Sequence, residues 1–351
     1  MKSFLLSGLT LALEENETML LQKAASVLHV KKEDIKNWEI IRKTIDARRS
    51  RPPHFVYILK VAFPSSLTLT QELNKGIQLM EIPNGQDIPS LSLVSAPKLP
   101  VVVTGSGPAG LFAAYILASR GIPVMIFERG EPVEKRVKDV ETFWAEGILN
   151  TQSNVCFGEG GAGTFSDGKL TSRSGNPYSS WIKKILVEAG APSEILVEAK
   201  PHVGSDQLRK VIVNLRKKLI EMGCVIYFRT TVTDFLMERG RISAVVINEK
   251  ETIRTHHVIL AIGQNADDTY ARLYERGVPM EAKPFAMGLR IEHPQELINS
   301  IQYGKWHQHP KLPPADYFLK AALSDLNRSV YTFCMCPGGS VIGCSAFEGC
   351  L

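Results

Sequence analysis

The sequence lacks any apolar run of the ~18 residues that a membrane-spanning helix requires. It also lacks a strong charge excess. Its 41 Lys and Arg residues against 36 Asp and Glu leave a net charge of +5 over 351 positions, too small and too dispersed for the clustered basic face of a nucleic-acid binder. The densest basic stretch is "ARRSRPPH", with Arg48, Arg49 and Arg51, which reads as a solvated turn before a strand. Cysteine is scarce: Cys156, Cys224, Cys334, Cys336, Cys344 and Cys350 form no disulfide framework for a chain of this size. Cys334-Met335-Cys336 has the wrong spacing for a zinc knuckle and reads as a strand with core-facing residues. The expectation is reduced thiols and a cytoplasmic location. No Ser-His-Asp or paired-carboxylate arrangement can be read from the order of residues. His256-His257 and His307/His309 have no acidic partner at catalytic spacing, so no catalytic residue is assigned.

The N-terminus, "MKSFLLSGLTLALEENE", carries one Lys and a short apolar run but no small-x-small cleavage site. It reads as a β-strand rather than a signal sequence. An amphipathic helix ("ETMLLQKAASVLHV"), a second helix-like stretch ("KEDIKNWEIIRKTI") and a strong strand ("HFVYILKVAF") follow. Residues 1–97 thus read as a small α+β domain, closed by the linker-like "SLSLVSAPKLP".

The pattern then changes. "PVVVTG" is a buried strand, "PAGLFAAYILASRG" an apolar helix and "IPVMIFERG" a second buried strand, together a βαβ unit. Helices are expected at "EPVEKRVKDVETFWAEG" and at "GSDQLRKVIVNLRKKLIEMG", where Ser205 is the expected N-cap and Gly223 the terminator. "CVIYFRTTVTDFLM", "RISAVVINE" and "IRTHHVILAIG" read as a β-meander feeding back into a parallel strand. Residues 98–275 form this α/β domain, and 276–351 mix short strands with Pro and Gly.

Two glycine motifs match G-x-G-x-x-G. In the first, Gly105 allows the tight turn, Gly107 admits a pyrophosphate to the backbone and Gly110 lets the helix pack close to the strand. Ser106, Pro108 and Ala109 complete the turn, with Pro108 at a first-turn position where its missing N–H costs nothing. The helix N-terminus offers free N–H groups to an anion. Glu128 ends the second strand, 23 residues after Gly105. Its carboxylate suits both ribose hydroxyls and disfavours a 2′-phosphate. The second match, Gly158, Gly160 and Gly163 within "NVCFGEGGAGTFSDGKL", has neither a buried strand before it nor a helix after it. Two readings stay open for it: an uninvolved surface loop, or a ligand loop in which Gly160, Gly161, Gly163, Thr164, Ser166, Asp167, Gly168 and Lys169 surround a polar or anionic group. One dinucleotide held by two loops is the provisional reading.

"GSGPAG", "FERG" and the meander ending in "VILAIG" resemble the FAD-binding arrangement of glutathione-reductase-like, two-dinucleotide-fold flavoproteins. Four stretches resemble, more narrowly, an uncharacterised bacterial family of FAD-dependent dehydrogenases: "DVETFWAEGILNTQSNVCFGEGGAGTFSDGKLTSR", "VILAIGQNADDTY", "KPFAMGLRIEHPQELI" and "VYTFCMCPGGSV". The N-terminal "TIDARR…PHFVY" is similar to that family's extra domain. The resemblance implies a Rossmann-like FAD-binding domain with a β-meander, a small α+β domain before it and a partial α+β substrate domain after it. It implies non-covalent FAD, with the pyrophosphate on Gly105, Gly107 and Gly110, the adenosine ribose at Glu128 beside Arg129, the adenine edged by Val232, and a second close approach at Ala261 and Gly263. The Gly160–Lys169 loop would run toward the isoalloxazine. Cys156 and Gln264 depart from the family pattern, which has Gln and His there, and Cys156 reads as a small buried residue. Family members continue well past the position of Leu351, so the chain reads as a C-terminally short form.

The leading expectation is an FAD-dependent oxidoreductase of unassigned substrate. No second strand–glycine–helix unit is visible, so a nicotinamide donor, NAD(P)H, would visit only transiently. The rival readings are an RNA- or protein-binding module built on Arg48, Arg49 and Arg51 with structural FAD, and an inactive remnant.

Overall fold

The computed structural model describes residues 1–48, 51–66, 76–82, 95–166, 168–171, 178–333 and 335–350. Arg49, Asp167 and Cys334 lie outside these residues, as does most of the linker-like stretch.

The N-terminal unit is a four-stranded antiparallel sheet. Its strands are β1 (Lys2–Ala12), β2 (Asn37–Asp46), β3 (His54–Phe63) and β4 (Gln78–Ile82), in the order β2-β3-β1-β4. One helix, α1 (Leu20–Val27), covers it, and Leu6, Leu20, Ala24, Tyr57, Leu59 and Val61 fill the layer between. The helix expected over "KEDIKNWEIIRKTI" is corrected. Only Lys32–Asp34 makes a 3₁₀ turn, and the rest is β2, paired with β3 from Asn37↔Ala62 to Asp46↔His54. Three isoleucines and a threonine favour a pleated strand, and Trp38 and Ile40 pack into the core from it. Beyond the sheet, the Lys43 N–H donates to Val197 O at 2.7 Å and the Ala199 N–H to Lys43 O at 3.0 Å, joining this unit to the next.

The central unit is a parallel sheet in the order β11-β5-β6-β7. It is built from β5 (Val101–Thr104), β6 (Val124–Phe127), β7 (Val225–Tyr227) and β11 (Val258–Leu260). Helix α2 (Pro108–Ala118) connects β5 to β6, and α3 (Val133–Glu146), α4 (Tyr178–Glu188) and α5 (Ser205–Glu221) lie between β6 and β7. The α2 helix is apolar on nearly every side because it is covered by α5 and by the sheet. Leu111, Ala114, Val103, Ile126, Leu215 and Leu219 share one core. On the other face an antiparallel meander packs Val232, Phe235, Val245 and Ile247 onto Val102 and Phe127; its strands are β8 (Val232–Glu238), β9 (Arg241–Ile247) and β10 (Glu251–Arg254). Two expected strands are each divided. "CVIYFRTTVTDFLM" gives β7 to the parallel sheet and β8 to the meander, and "IRTHHVILAIG" gives β10 and β11. Helix α6 (Asp267–Glu275) follows, and α5 begins at Ser205 with Gly204, not Ser205, as its cap residue.

Beyond α6, residues 279–294 form no helix or strand and are exposed throughout, Phe285, Met287, Leu289 and Ile291 among them. Helix α7 (Gln295–Tyr303) and the hairpin β12 (Lys320–Leu323)–β13 (Arg328–Tyr331) complete this part. The core reading for the Cys334–Cys336 stretch is corrected for Cys336: β13 ends at Tyr331, Cys336 is exposed, and Met335 is the residue that packs, against the cluster of Ile298, Tyr303 and Ala315.

Helix α2 and strand β5 approach so closely that a β-carbon at Gly110 would lie 1.9 Å from Gly105 O. Backbone cannot yield as a side chain can. Gly110→Ala is therefore expected to lower unfolding stability by about 3 kcal/mol or more. Gly107→Ala, whose β-carbon would meet Gly161 Cα at 3.7 Å and Gly161 N at 4.0 Å, ordinary contacts, is expected to be nearly neutral. Chemical denaturation of both variants checks the pair.

Candidate functional site

Strand β5 is the switch point of the parallel sheet. The chain leaves it for β6 on one side and returns to β11 on the other, which opens a crevice at the carboxyl ends of β5 and β11. Gly105 stands directly after β5, at φ +100°, and a β-carbon there would lie 2.4 Å from Ala261 O. The Ala261 N–H donates to Thr104 O at 2.8 Å, so the turns after the two strands are in contact. Gly263 follows at φ +73° and is exposed.

Gly107 caps α2, and Pro108 and Ala109 are exposed on its first turn. Among the described residues, no acceptor takes the N–H of Gly107, Ala109 or Gly110. Free donors at the positive end of a helix are able to hold an anion. Ser106 turns inward and is fully buried. Its N–H and its hydroxyl each donate to Glu128 Oε2 at 2.8 Å, and the Gly130 N–H donates to Glu128 Oε1 at 2.9 Å. The buried Glu128 carboxylate is thus aligned at the end of β6 by three donors. Ionised carboxylate oxygens each accept more than one bond, so acceptor capacity remains.

The second glycine motif folds back against the first. The Gly160 N–H donates to Ser106 O at 2.9 Å, and a β-carbon on Gly161, at φ +64°, would come within 3.1 Å of Gly107 Cα. The two loops that match the same pattern therefore pack side by side at the N-terminus of α2. Gly161–Phe165 makes a 3₁₀ turn, not an α-helix.

What holds this second loop escaped the sequence reading. Arg136, on α3, is completely buried. Its Nε donates to Asn154 O at 2.9 Å and its Nη2 to Val155 O at 3.0 Å. Its Nη1 reaches Glu159 O at 2.6 Å, Gly161 O at 2.8 Å and Thr164 Oγ1 at 3.1 Å. Burial lowers its pKa to about 10, against the pull of Glu128, so it stays charged at neutral pH. Gly158, at φ +126°, leaves room for the stem: a β-carbon there would meet Arg136 Cδ at 2.3 Å. An Arg on an otherwise charged helix face gives no signal in sequence, and only the carbonyls converging on it reveal the role.

Other expected ligand residues are placed differently. Thr164 is buried, and its hydroxyl donates to Glu159 O at 2.9 Å, so that side chain serves the loop and not the cleft. Gly168 packs on Val203, and Gly163 is half-buried with open space at its β-position. Lys169 is engaged by the C-terminal part, donating to Met335 O and lying 3.3 Å from Cys336 Sγ. Arg129 lies over the Phe157 ring at 4.5 Å and pairs with Asp268 at 2.8 Å. The Val232 side chain lies in the meander core, which leaves its backbone for any edge contact. Exposed Gln264 follows Gly263. Cys156, read from the sequence as buried, is half-buried and faces Cys344.

The geometry fits a dinucleotide, and two family matches name FAD. Residues 100–160 match the FAD binding domain family. The chain carries an FAD-binding domain. Residues 284–351 match the family described as FAD-dependent protein, C-terminal domain-like, and residues 6–62 match a domain of unknown function. An uncharacterized protein of Clostridium beijerinckii is 42% identical over 345 residues, covering 98% of this chain and 64% of that protein. Thiamine thiazole synthase of Thermotoga maritima is 25% identical over 157 residues, 45% of this chain and 50% of that enzyme. Among solved structures, THI4 of Thermovibrio ammonificans aligns at 20% identity with a TM-score of 0.36, covering 52% of this chain and 64% of that one. The chain therefore spans less than two thirds of the length of each of these three proteins.

Two outcomes test the loop architecture. Replacing Arg136 by Lys strands several buried carbonyls, each of which costs about 1–3 kcal/mol when left without a donor. Arg136→Lys is expected to lose about 3 kcal/mol or more in urea unfolding, with faster amide exchange at Gly160 and Gly161; unchanged exchange contradicts the role. Glu159, 1% exposed, is the second. Burial raises its carboxyl from the ordinary 4.5 to about 7, although Val133 N–H and Arg216 pull the other way. A raised carboxyl favours folding while protonated. Its contribution is full below pH 4.5 and fades as pH rises through about 7. Unfolding free energy is expected to decline across that window, and Glu159→Gln is expected to remove this part of the slope.

Proposed function

We propose that this protein is an FAD-dependent oxidoreductase that holds its FAD non-covalently between the two glycine loops. The observation that carries the reading is the meeting of Gly107 and Gly161 at the N-terminus of α2, with outward N–H groups on Gly107, Ala109 and Gly110. A pyrophosphate is the anion that suits two glycine walls and a helix terminus together. Glu128, held by Ser106 and Gly130, is where the adenosine ribose hydroxyls would bond. The meander after β7, and the return through β11 to Ala261, support the glutathione-reductase-like arrangement over a plain mononucleotide fold. Bound FAD supplies two-electron chemistry at its isoalloxazine. The chain's own residues bind the phosphates, fix the ribose and keep the loop wall rigid through Arg136. The Gly161–Phe165 turn supports the reading that the second loop runs along the same cofactor rather than holding a second one. A nicotinamide donor is assigned no resident site here, and the substrate class is left open.

The RNA-binding alternative is weakened on charge. Arg48 and Arg51 both pair with Asp46, at 2.5 and 2.7 Å, and Arg48 holds the Asp46 carboxyl far below the usual range. Asp46 offsets one of these charges and so reduces the counterion release the cluster could give.

Flavin-fluorescence titration tests the reading. Gly107→Val is expected to weaken FAD binding by about a hundredfold, the cost of losing close backbone–phosphate approach, while Arg48→Ala plus Arg51→Ala leaves it unchanged. Equal FAD affinity in Gly107→Val and the parent, in a variant that melts normally without FAD, contradicts it.

A further inference from the structure

We propose that Cys156 and Cys344 form a dithiol–disulfide site that reacts with small-molecule disulfides. The two sulfurs lie 3.6 Å apart although 188 positions separate them in sequence. A disulfide needs about 2.05 Å, so the sulfurs must close by about 1.5 Å.

The approach is built from both sides. Cys156 sits in the turn before Gly158, where Asn154 Oδ1 accepts the N–H groups of Cys156 and Phe157 at 2.9 and 3.1 Å. Cys344 sits in a C-terminal segment fastened to the same region: Trp144 Nε1 donates to Gly343 O at 3.0 Å, and Ala346 packs against Phe157 and Ala266. Both thiols are half-buried, so a small reagent reaches them. Two cations bear on the pair, Arg136 and Arg290. The hydrogen bond shared by the two sulfurs and these charges lower the Cys344 thiol, while the same bond and burial raise Cys156. The pair is thus biased toward one thiolate and one thiol, the division of labour of an attacking and a resolving cysteine. Cys224 is buried and its thiol is raised by burial, which leaves it inert, and Cys350 is exposed.

The chemistry balances with a disulfide RSSR as oxidant. The Cys344 thiolate attacks one sulfur of RSSR. The R–S–S–R bond breaks, a Cys344–S–SR mixed disulfide forms and RS⁻ leaves to take a proton from water. Cys156 then gives its proton to water and attacks Cys344 Sγ, expelling the second RS⁻, which takes a proton from water in turn. Two protein thiols are oxidised and one RSSR is reduced to two RSH. The product ties the C-terminal segment covalently to the glycine loop. The proposal does not depend on FAD being bound.

The test uses the 351-residue chain, reduced, desalted and exposed to oxidised glutathione at pH 7, then mapped by mass spectrometry without reduction. The expected product links the Cys156 and Cys344 peptides, two hydrogens lighter than their sum. Cys156→Ser is expected to trap one glutathione on Cys344, and Cys350→Ser to behave as the parent. In the unmodified chain, iodoacetamide is expected to alkylate Cys344 at least about tenfold faster than Cys350, an outcome independent of any variant's folding. Glutathione spread over the cysteines without a 156–344 link, or equal alkylation of Cys344 and Cys350, overturns the proposal.

Discussion

A single buried guanidinium organises the cleft. Arg136 reaches from α3 into the second glycine loop and satisfies backbone carbonyls from Asn154 to Gly161 that have turned inward. With its carbonyls directed into the protein, the loop can lie against the nucleotide-binding turn through Gly161 and Gly107 without leaving polar groups stranded. The charge is costly to bury, and five acceptors offset that cost. Glycine at 158 is part of the same device, because any side chain there would occupy the space of the arginine stem.

The first loop relies on a different kind of closeness. Strand β5, helix α2 and the turn after β11 meet at Gly105, Gly110 and Ala261 with no room for a methyl group at either glycine. This packing leaves the first-turn N–H groups of α2 facing the crevice at the switch point of the sheet. Glu128 is positioned by the same turn, through the inward Ser106. The proposed phosphate cradle and ribose acceptor are therefore one packed unit, and Arg136 holds the second loop against it.

The first wall was legible in the sequence because its signal is local. Strand, three glycines, helix, strand and acid occur in order, and each has a physical reason to stand where it does. The meander was legible too, by alternation and turns, although the points where one apolar run divides between two sheets were not. The second wall was only half legible: "GEGGAG" announced a loop, but its anchor is 18 to 28 positions away in sequence and looks like a surface arginine. Strand β2 was misread because helix-favouring charged residues surround Trp38 and Ile40. Pairing with β3 settled it, and that information is not local. The Cys156–Cys344 approach spans 188 positions and could come only from the fold.

The central claim is that one FAD lies between the two glycine walls, and amide chemical shifts followed during FAD titration test it most directly. The account expects the resonances of Gly107, Ala109, Gly110 and Gly161 to move together with a single saturation curve. Shifts confined to the N-terminal sheet, or a first loop that moves while Gly161 stays still, would contradict it.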